Sequence, residues 1–325
     1  DASAKNLNET TKAINEIIDY SKANKKKSIC FITGVPGAGK TLAGLNIAIE
    51  RQKVDENEHA VFLSGNGPLV DVLQEALARD DVKRKGIRKT EAMRKAKEFI
   101  QIIHHFRDDA ISIDAPPIER VTIFDEAQRA WDEPNLVDFM KRKKGVLDFN
   151  MSEPEFLISI LNRHEGWATI VCLIGGGQEI NKGESAGIAG WFESLRSNYL
   201  EWDVYISNKI TDEEYSKGRS FDELAEGINY KIKDDLHLSV SLRSFRSENV
   251  SAFVKALLDV DKKTAKKLYE QFKNDYPICI TRDLEKAKLW VKEKAKGSQR
   301  YGITASSGAK RLRKYGVWVQ NKVDA

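Results

Sequence analysis

Seven short runs rich in β-branched and apolar residues punctuate this chain: SICFIT (28–33), HAVFLS (59–64), ERVTIFD (119–125), ATIVCLIG (168–175), DVYIS (203–207), YPICIT (276–281) and RYGITAS (300–306). Between them lie segments with apolar residues at helical spacing, at 40–52, 67–79, 90–106, 154–164, 188–198, 246–259, 262–273 and 283–296. Strands alternating with helices predict an α/β fold, a parallel sheet wrapped by helices. The span 80–118 is charged and helical in pattern (VKRKGIRKTEAMRKAKEFIQII) and closes with DAPPIE, so it reads as an insertion between two strands. A second charged stretch, 132–153, contains KRKK. Residues 208–240 are polar and irregular, and a domain boundary is expected there.

Length and composition narrow the class. The 325 residues suffice for two domains, and 41% hydrophobic with 31% charged residues is ordinary for a globular chain. No apolar run approaches the ~18 residues of a membrane span, and the opening DASAKNLNETTKAINEII lacks the basic and apolar pattern of a secretion leader. A cytoplasmic protein without membrane contact is expected, and Asp rather than Met at residue 1 fits a piece of a longer chain. Cys30, Cys172 and Cys279 each lie in an apolar run, where buried structural thiols are expected; with five scattered histidines they offer no zinc spacing. The net charge of +4 is unevenly spread. Residues 281–325 hold twelve Lys or Arg against four acids, a balance of +8, which leaves −4 on the other 280 residues. A basic end on a mildly acidic body suits contact with a phosphate backbone, and a solvated helix face gives the same count.

GVPGAGKT, Gly34 to Thr41, fits the phosphate-binding template G-x-x-x-x-G-K-[ST], with a strand before it and a helix after it. Gly34, Gly37 and Gly39 allow a tight turn whose N–H groups would face a phosphate, with the start of the next helix adding its positive end, so Gly34, Pro36, Gly37, Ala38, Gly39, Lys40, Thr41 and Leu42 are the expected nucleotide-binding residues. Lys40 would reach the β- and γ-phosphates of ATP, and Thr41 would bind Mg²⁺. In VTIFDEAQRAW (121–131) a buried run delivers Asp125 and Glu126 to a strand end. Asp125 suits Mg²⁺, and Glu126 suits polarising a water. A third segment, Ile174 to Ile180, ends a strand in three glycines and Gln178, an amide able to sense a γ-phosphate.

The D-E-A-Q tetrad, with Gln128 and then Arg129, is in the style of superfamily 1 helicases, and CLIGGGQEINKGESAGIAGW resembles something narrower. It is similar to a bacterial domain family grouped with the Schlafen group 3 helicase-like ATPases, and the resemblance extends over nearly all 325 residues. It implies a RecA-like P-loop domain at 1–235 with the helical insertion at about 80–118, then a partial second RecA-like domain at 236–325. FLSGNGPLVDVLQEAL (62–77) looks like motif Ia, whose Ser64 and Asn66 would face nucleic acid. LHLSVSLRSFRSENVSAFV (236–254) looks like motif IV, with Arg243, or Arg246 in its place, approaching the nucleotide from the second domain. ITASSGAKRLRKYG (303–316) looks like the second-domain signature, putting Ser306, Ser307 and Arg311, with Lys310 and Arg313, near a nucleic-acid backbone.

Two departures accompany this resemblance. Thr11 stands where relatives place an adenine-reading glutamine, and the chain ends at Ala325, before the stretch that carries motifs V and VI. The reading is therefore a Mg-dependent ATPase of helicase type, with catalytic Lys40, Glu126, Gln178 and Arg243, acting on DNA or RNA, a single strand first, alone or within a longer chain or a defence or repair assembly. A nucleotide switch or AAA-type module without unwinding activity is the alternative, and a binding platform that uses nucleotide only to hold its shape is a third. Trp131 and Trp318 stand as stacking platforms or core residues.

Overall fold

Every residue of the strand Lys27–Gly34 (β1) after the first is buried, because neighbours flank it on both sides and helices cover both faces. The computed structural model describes residues 2–35, 37–54, 58–175, 186–211, 220–239, 245–274, 276–297, 299–303, 305 and 309–317. These form two compact units, Asp1–Ser244 and Phe245–Ala325.

The first unit is built on one parallel sheet. Its strands are β1, β2 (His59–Ser64), β3 (Ile100–Ile102), β4 (Glu119–Phe124), β5 (Ala168–Gly175), β6 (Asp203–Ile206), β7 (Tyr230–Ile232) and β8 (His237–Leu238). The order is β3-β2-β4-β5-β1-β6-β7, with β8 also paired to β1 at Thr33 and Gly34. The helices are α1 (Ala2–Asn24), α2 (Lys40–Val54), α3 (Gly67–Lys85), α4 (Lys89–Phe99), α5 (Ile103–Ser112), α6 (Glu133–Phe139), α7 (Glu153–Asn162), α8 (Gly187–Asn198) and the single turn α9 (Phe221–Leu224).

Side chains alternate across the sheet, so each strand feeds two cores. Phe31, Leu63, Phe124 and Ile170 point to one face, packed with Leu157 and Leu161 of α7 and Trp191 and Phe192 of α8. Ile32, Phe62, Ile123 and Val171 point to the other, packed with Ile14, Ile17 and Ile18 of α1 and Ala43 and Ile47 of α2. The spacing 14, 17, 18 is the single apolar stripe a helix needs to lie on a sheet.

Five of the seven expected strands form, within a residue or two of the expected bounds. The helix expected at 90–106 is broken instead: α4 stops at Phe99, Ile100–Ile102 pairs with Phe62–Ser64 as an edge strand, and α5 begins at Ile103. Helix α1 carries no strong local signal beyond its stripe, and its apolar face is explained only by the sheet it covers. Residues 208–240, expected to be irregular, supply β7 and β8, and the first compact unit runs to Ser244.

The second unit contains α10 (Phe245–Leu258), α11 (Lys262–Phe272), α12 (Leu284–Lys294) and a 3-10 turn, Lys310–Tyr315. Its core is small: Phe253, Ala256, Ala265 and Phe272. No described residue of 276–281 or 300–306 is in a strand, contrary to the sequence expectation. An apolar run becomes a strand only when another strand completes its ladder, and among the described residues of this unit there is none. Ile280 is accordingly 84% exposed and Cys279 is exposed, whereas Cys30 and Cys172 are buried as expected.

Candidate nucleotide-binding site

All strands of the first sheet are parallel, so every strand end that follows β1, β4 and β5 lies on one edge. Because β5 sits between β1 and β4, that edge presents in order the loop after Gly34, the end of β5 at Gly175, and Asp125 with Glu126.

The loop from Gly34 to Gly39 turns on backbone that side chains resist. Gly37 and Gly39 have φ of 78° and 89°, a region glycine enters freely. Gly34 is constrained differently: a Cβ there would lie 2.8 Å from Leu238 Cβ and 3.0 Å from the Leu238 carbonyl oxygen. The same carbonyl accepts the Val35 N–H at 3.1 Å, so β8 braces the loop from below. Within the loop the Ala38 N–H donates to Val35 O, and Ala43 N–H to Gly39 O as α2 starts. Lys40 Nζ donates to Gly34 O at 2.6 Å and Val35 O at 3.3 Å, folding its ammonium back over the loop. Leu42, expected to help cradle a phosphate through its N–H, turns its side chain outward at 44% exposed. Pro36 lies outside the described residues.

Thr41 Oγ1 straddles the Asp125 carboxylate at 3.3 and 3.4 Å, joining the first turn of α2 to the end of β4. Asp125 is buried, and its N–H donates to Leu63 O. Burial first, and then the neighbouring Glu126 charge, push its carboxyl up to about 6; the Thr41 hydroxyl and the Lys40 ammonium pull the other way. A buried hydroxyl–carboxylate pair whose charge is undercompensated is the donor set a hard divalent cation takes, so the residues present fit Mg²⁺.

Glu126 adopts φ 54° and ψ 44°, a left-handed conformation unusual for a residue with a side chain. Three bonds impose it. The Arg129 N–H donates to Glu126 O at 2.8 Å, the Trp191 indole N–H to Ala127 O at 2.9 Å, and the Gln128 amide N–H to the Glu126 carboxylate. Gln128 Oε1 in turn accepts the Gly175 N–H at 3.0 Å. One amide thus links the acidic turn to the last residue of β5. Gln128 had a sequence signal in the D-E-A-Q tetrad; Trp191 and Leu238 fall inside segments that carry the family resemblance, but their contacts with the acidic turn and with Gly34 depend on packing from distant segments.

Behind the turn, Trp131 is held at both ends by Glu153, whose carboxylate accepts the Trp131 N–H at 2.9 Å and whose own N–H donates to Trp131 O. Glu153 pairs with fully buried Arg107, which lies over the Trp131 and Phe139 rings at 5.4 and 5.6 Å. Trp131 therefore packs against the core rather than standing free.

The remaining expected residues are placed less directly. Ser64 is 2% exposed, and its hydroxyl accepts the Asn66 N–H at 3.2 Å. Asn66 caps α3 by accepting the Leu69 N–H at 3.3 Å and stays exposed. Ser64 thus builds the turn, and Asn66 is the side chain that reaches solvent. Thr11 bonds back to Leu7 O of its own helix. Asn6 and Thr10 instead grip the β8 segment through His237 O, Ser239 N–H and Asp235 O. Lys310, Arg311 and Arg313 lie on the exposed 3-10 turn of the second unit. Gln178, Arg243, Ser306, Ser307 and Trp318 lie outside the described residues.

No helix among the described residues is long and apolar enough to cross a membrane. No curated protein matches the chain. Residues 27–324, nearly the whole chain and including the loop Gly34 to Thr41 and the acidic turn at Asp125 and Glu126, match the family described as Schlafen group 3, DNA/RNA helicase domain, and the chain belongs to that family.

Proposed function

We propose that this chain binds Mg-ATP on the loop Gly34 to Thr41 and hydrolyses it in the course of acting on DNA or RNA. The observation that carries the reading is the apposition of Thr41 and Asp125 beside a Glu126 held by Gln128. In this reading Lys40 leaves the Gly34 and Val35 carbonyls for the β- and γ-phosphates, and Thr41 and Asp125 hold Mg²⁺. When bound, the ion neutralises phosphate charge. Glu126 accepts the proton of the attacking water, and the bond from Gln128 fixes which way its carboxylate faces. Gln178 and Arg243 would report the γ-phosphate, while Asn66, Ser306, Ser307, Lys310, Arg311 and Arg313 would contact the strand. Ser64 acts in this scheme through the turn that presents Asn66.

A nucleotide switch without unwinding is the second reading. It is favoured by the lack of any strand among the described residues of the second unit, where a second RecA-like half was expected. The experiment is ATP turnover with and without single- and double-stranded DNA and RNA, alongside calorimetry on Lys40→Ala. Turnover stimulated by a strand, and loss of ATP binding in the variant with its fold intact, are expected. Undiminished affinity in Lys40→Ala would remove the assignment, and turnover indifferent to every strand would leave the switch.

A further inference from the structure

The first unit is acidic on balance, and its longest concentration of cations lies in one segment. Asp1–Ser244 holds 34 Lys or Arg against 40 Asp or Glu. Residues 82–97 contain eight of those cations and a single acid, Glu91, leaving 26 against 39 for the rest of the unit. This concentrated charge spans the junction of α3 and α4, far in sequence from the basic C-terminal region.

The junction is a built feature. Gly86, at φ 66°, closes α3 with its N–H on Val82 O at 3.0 Å, and α4 starts three residues later. The inner faces are apolar: Val70 and Ala78 on α3, Ala92, Ala96 and Phe99 on α4. Gln74 Nε2 donates to Ile100 O at 2.8 Å, tying the pair to the edge strand β3. The cations therefore have only the outer faces to occupy. Five are paired locally, Arg84 with Asp80, Lys85 with Asp81, Lys89 with Glu75, Arg94 with Glu98 and Lys95 with Glu91. Lys83, Arg88 and Lys97 are exposed and form no ion pair among the described residues. Beside them runs an open groove of about 880 Å³ along α4, lined by Lys97, by the ion pairs Lys89–Glu75 and Arg94–Glu98, and by Met93, and reaching Gln101 of β3.

We propose that the α3–α4 hairpin is a docking surface for the phosphate backbone of a nucleic acid. The proposal rests on the nucleic-acid reading above and assigns it a contact no motif covers. Phosphate contact needs Lys, Arg and amide donors and carries no demand for an apolar anchor; Lys83, Arg88 and Lys97 supply cations unpaired among the described residues, and Gln101 an amide, while Glu75 and Glu98 are each neutralised by a cation of the hairpin. A protein partner would require a buried aromatic or aliphatic anchor at the centre, and Met93 is the one apolar side chain lining the groove. The 11 residues of α4 rise about 16 Å, which spans about five phosphates of one strand at ~3.4 Å each. Binding through such a surface is tolerant of sequence and steeply dependent on salt.

The test replaces Lys83, Arg88 and Lys97 together with Gln in the full chain. Anisotropy of a labelled duplex and a labelled single strand is read across a salt series, with polyglutamate as a competing polyanion. Losing three contacts should flatten the log–log salt slope by about 2–3 and weaken low-salt affinity about ten-fold or more. ATP affinity and the urea midpoint should stay at parental values, which separates a lost contact from a lost fold. Parental slope and affinity in the triple variant would overturn the proposal. So would a parent protein that takes up labelled polyglutamate and no oligonucleotide, which would make the surface one for an acidic protein. Failure of the ATP reading is distinguishable, because Lys40→Ala would then keep ATP affinity while the hairpin variant still changed the salt slope.

Discussion

Glu126 in the first unit and Val260 in the second both carry a side chain on left-handed backbone, as does Lys25 just after α1, and Glu126 and Val260 are held in opposite ways. Glu126 in the first unit, at φ 54°, is fixed by bonds to its own carbonyl, to the carbonyl of Ala127 and to its carboxylate. Val260 in the second, at φ 60°, lies 72% exposed in the turn between α10 and α11, with its N–H on Leu257 O. A β-branched residue gains nothing from that conformation. The difference follows from what surrounds them. The first unit covers both faces of a sheet and can impose a strained turn at a strand end; the second packs α10 on α11 around four buried residues. Strain at Glu126 is paired with chemistry, and strain at Val260 is only a cost.

The largest way to separate them acts on the chemistry. Glu126→Gln keeps the shape and the backbone conformation but cannot accept a proton, so hydrolysis should fall about 10²–10⁴-fold with nucleotide affinity retained. Single-turnover rates beside calorimetry decide it; an unchanged rate would make the carboxylate structural.

The next acts on the support of the first unit. Arg107→Ala leaves the buried Glu153 carboxylate without its cation and withdraws a guanidinium from the Trp131 and Phe139 rings. Breaking one side of such a pair costs about 3–5 kcal/mol. The urea midpoint of the first unit should drop accordingly, and a signal specific to the second should not follow it.

A smaller effect of opposite sign is expected at Asp125. Its folded carboxyl titrates at about 6 against an ordinary 3.8. A carboxyl raised on folding costs nothing while protonated in both states; the cost grows as pH rises through that window and is complete above it. Asp125→Asn should therefore stabilise nucleotide-free protein by on the order of 1–3 kcal/mol at pH about 8 and leave it unchanged at pH about 3.5. Equal stability at both values would show that the carboxylate is not strained by its setting.

The smallest concerns the second unit. Val260→Gly removes the left-handed penalty and should raise the stability of that unit by about 1 kcal/mol, less the greater chain entropy of glycine. Thermal melting followed on a probe in the second unit, with the first unit's transition as the internal standard, resolves it.

By itself the sequence determined the strands whose apolar runs are long enough to be buried on both faces, the helices between them, and the residue types at the loop and the acidic turn. Those signals are local: a glycine pattern, a run of β-branched residues, an acid pair at its end. Gln128 was visible for the same reason, as part of a tetrad. The tertiary structure alone decided that Ile100–Ile102 would leave a helical pattern to become the sheet edge, that Leu238 would forbid a side chain at Gly34, and that Trp191 would hold the acidic turn. It also decided that Ser64 would be spent inside its own turn and that 276–281 would remain unpaired. Each of these depends on a partner remote in sequence. Strand pairing and burial are properties of two segments together, and a periodicity read along one of them carries no record of whether the other arrives.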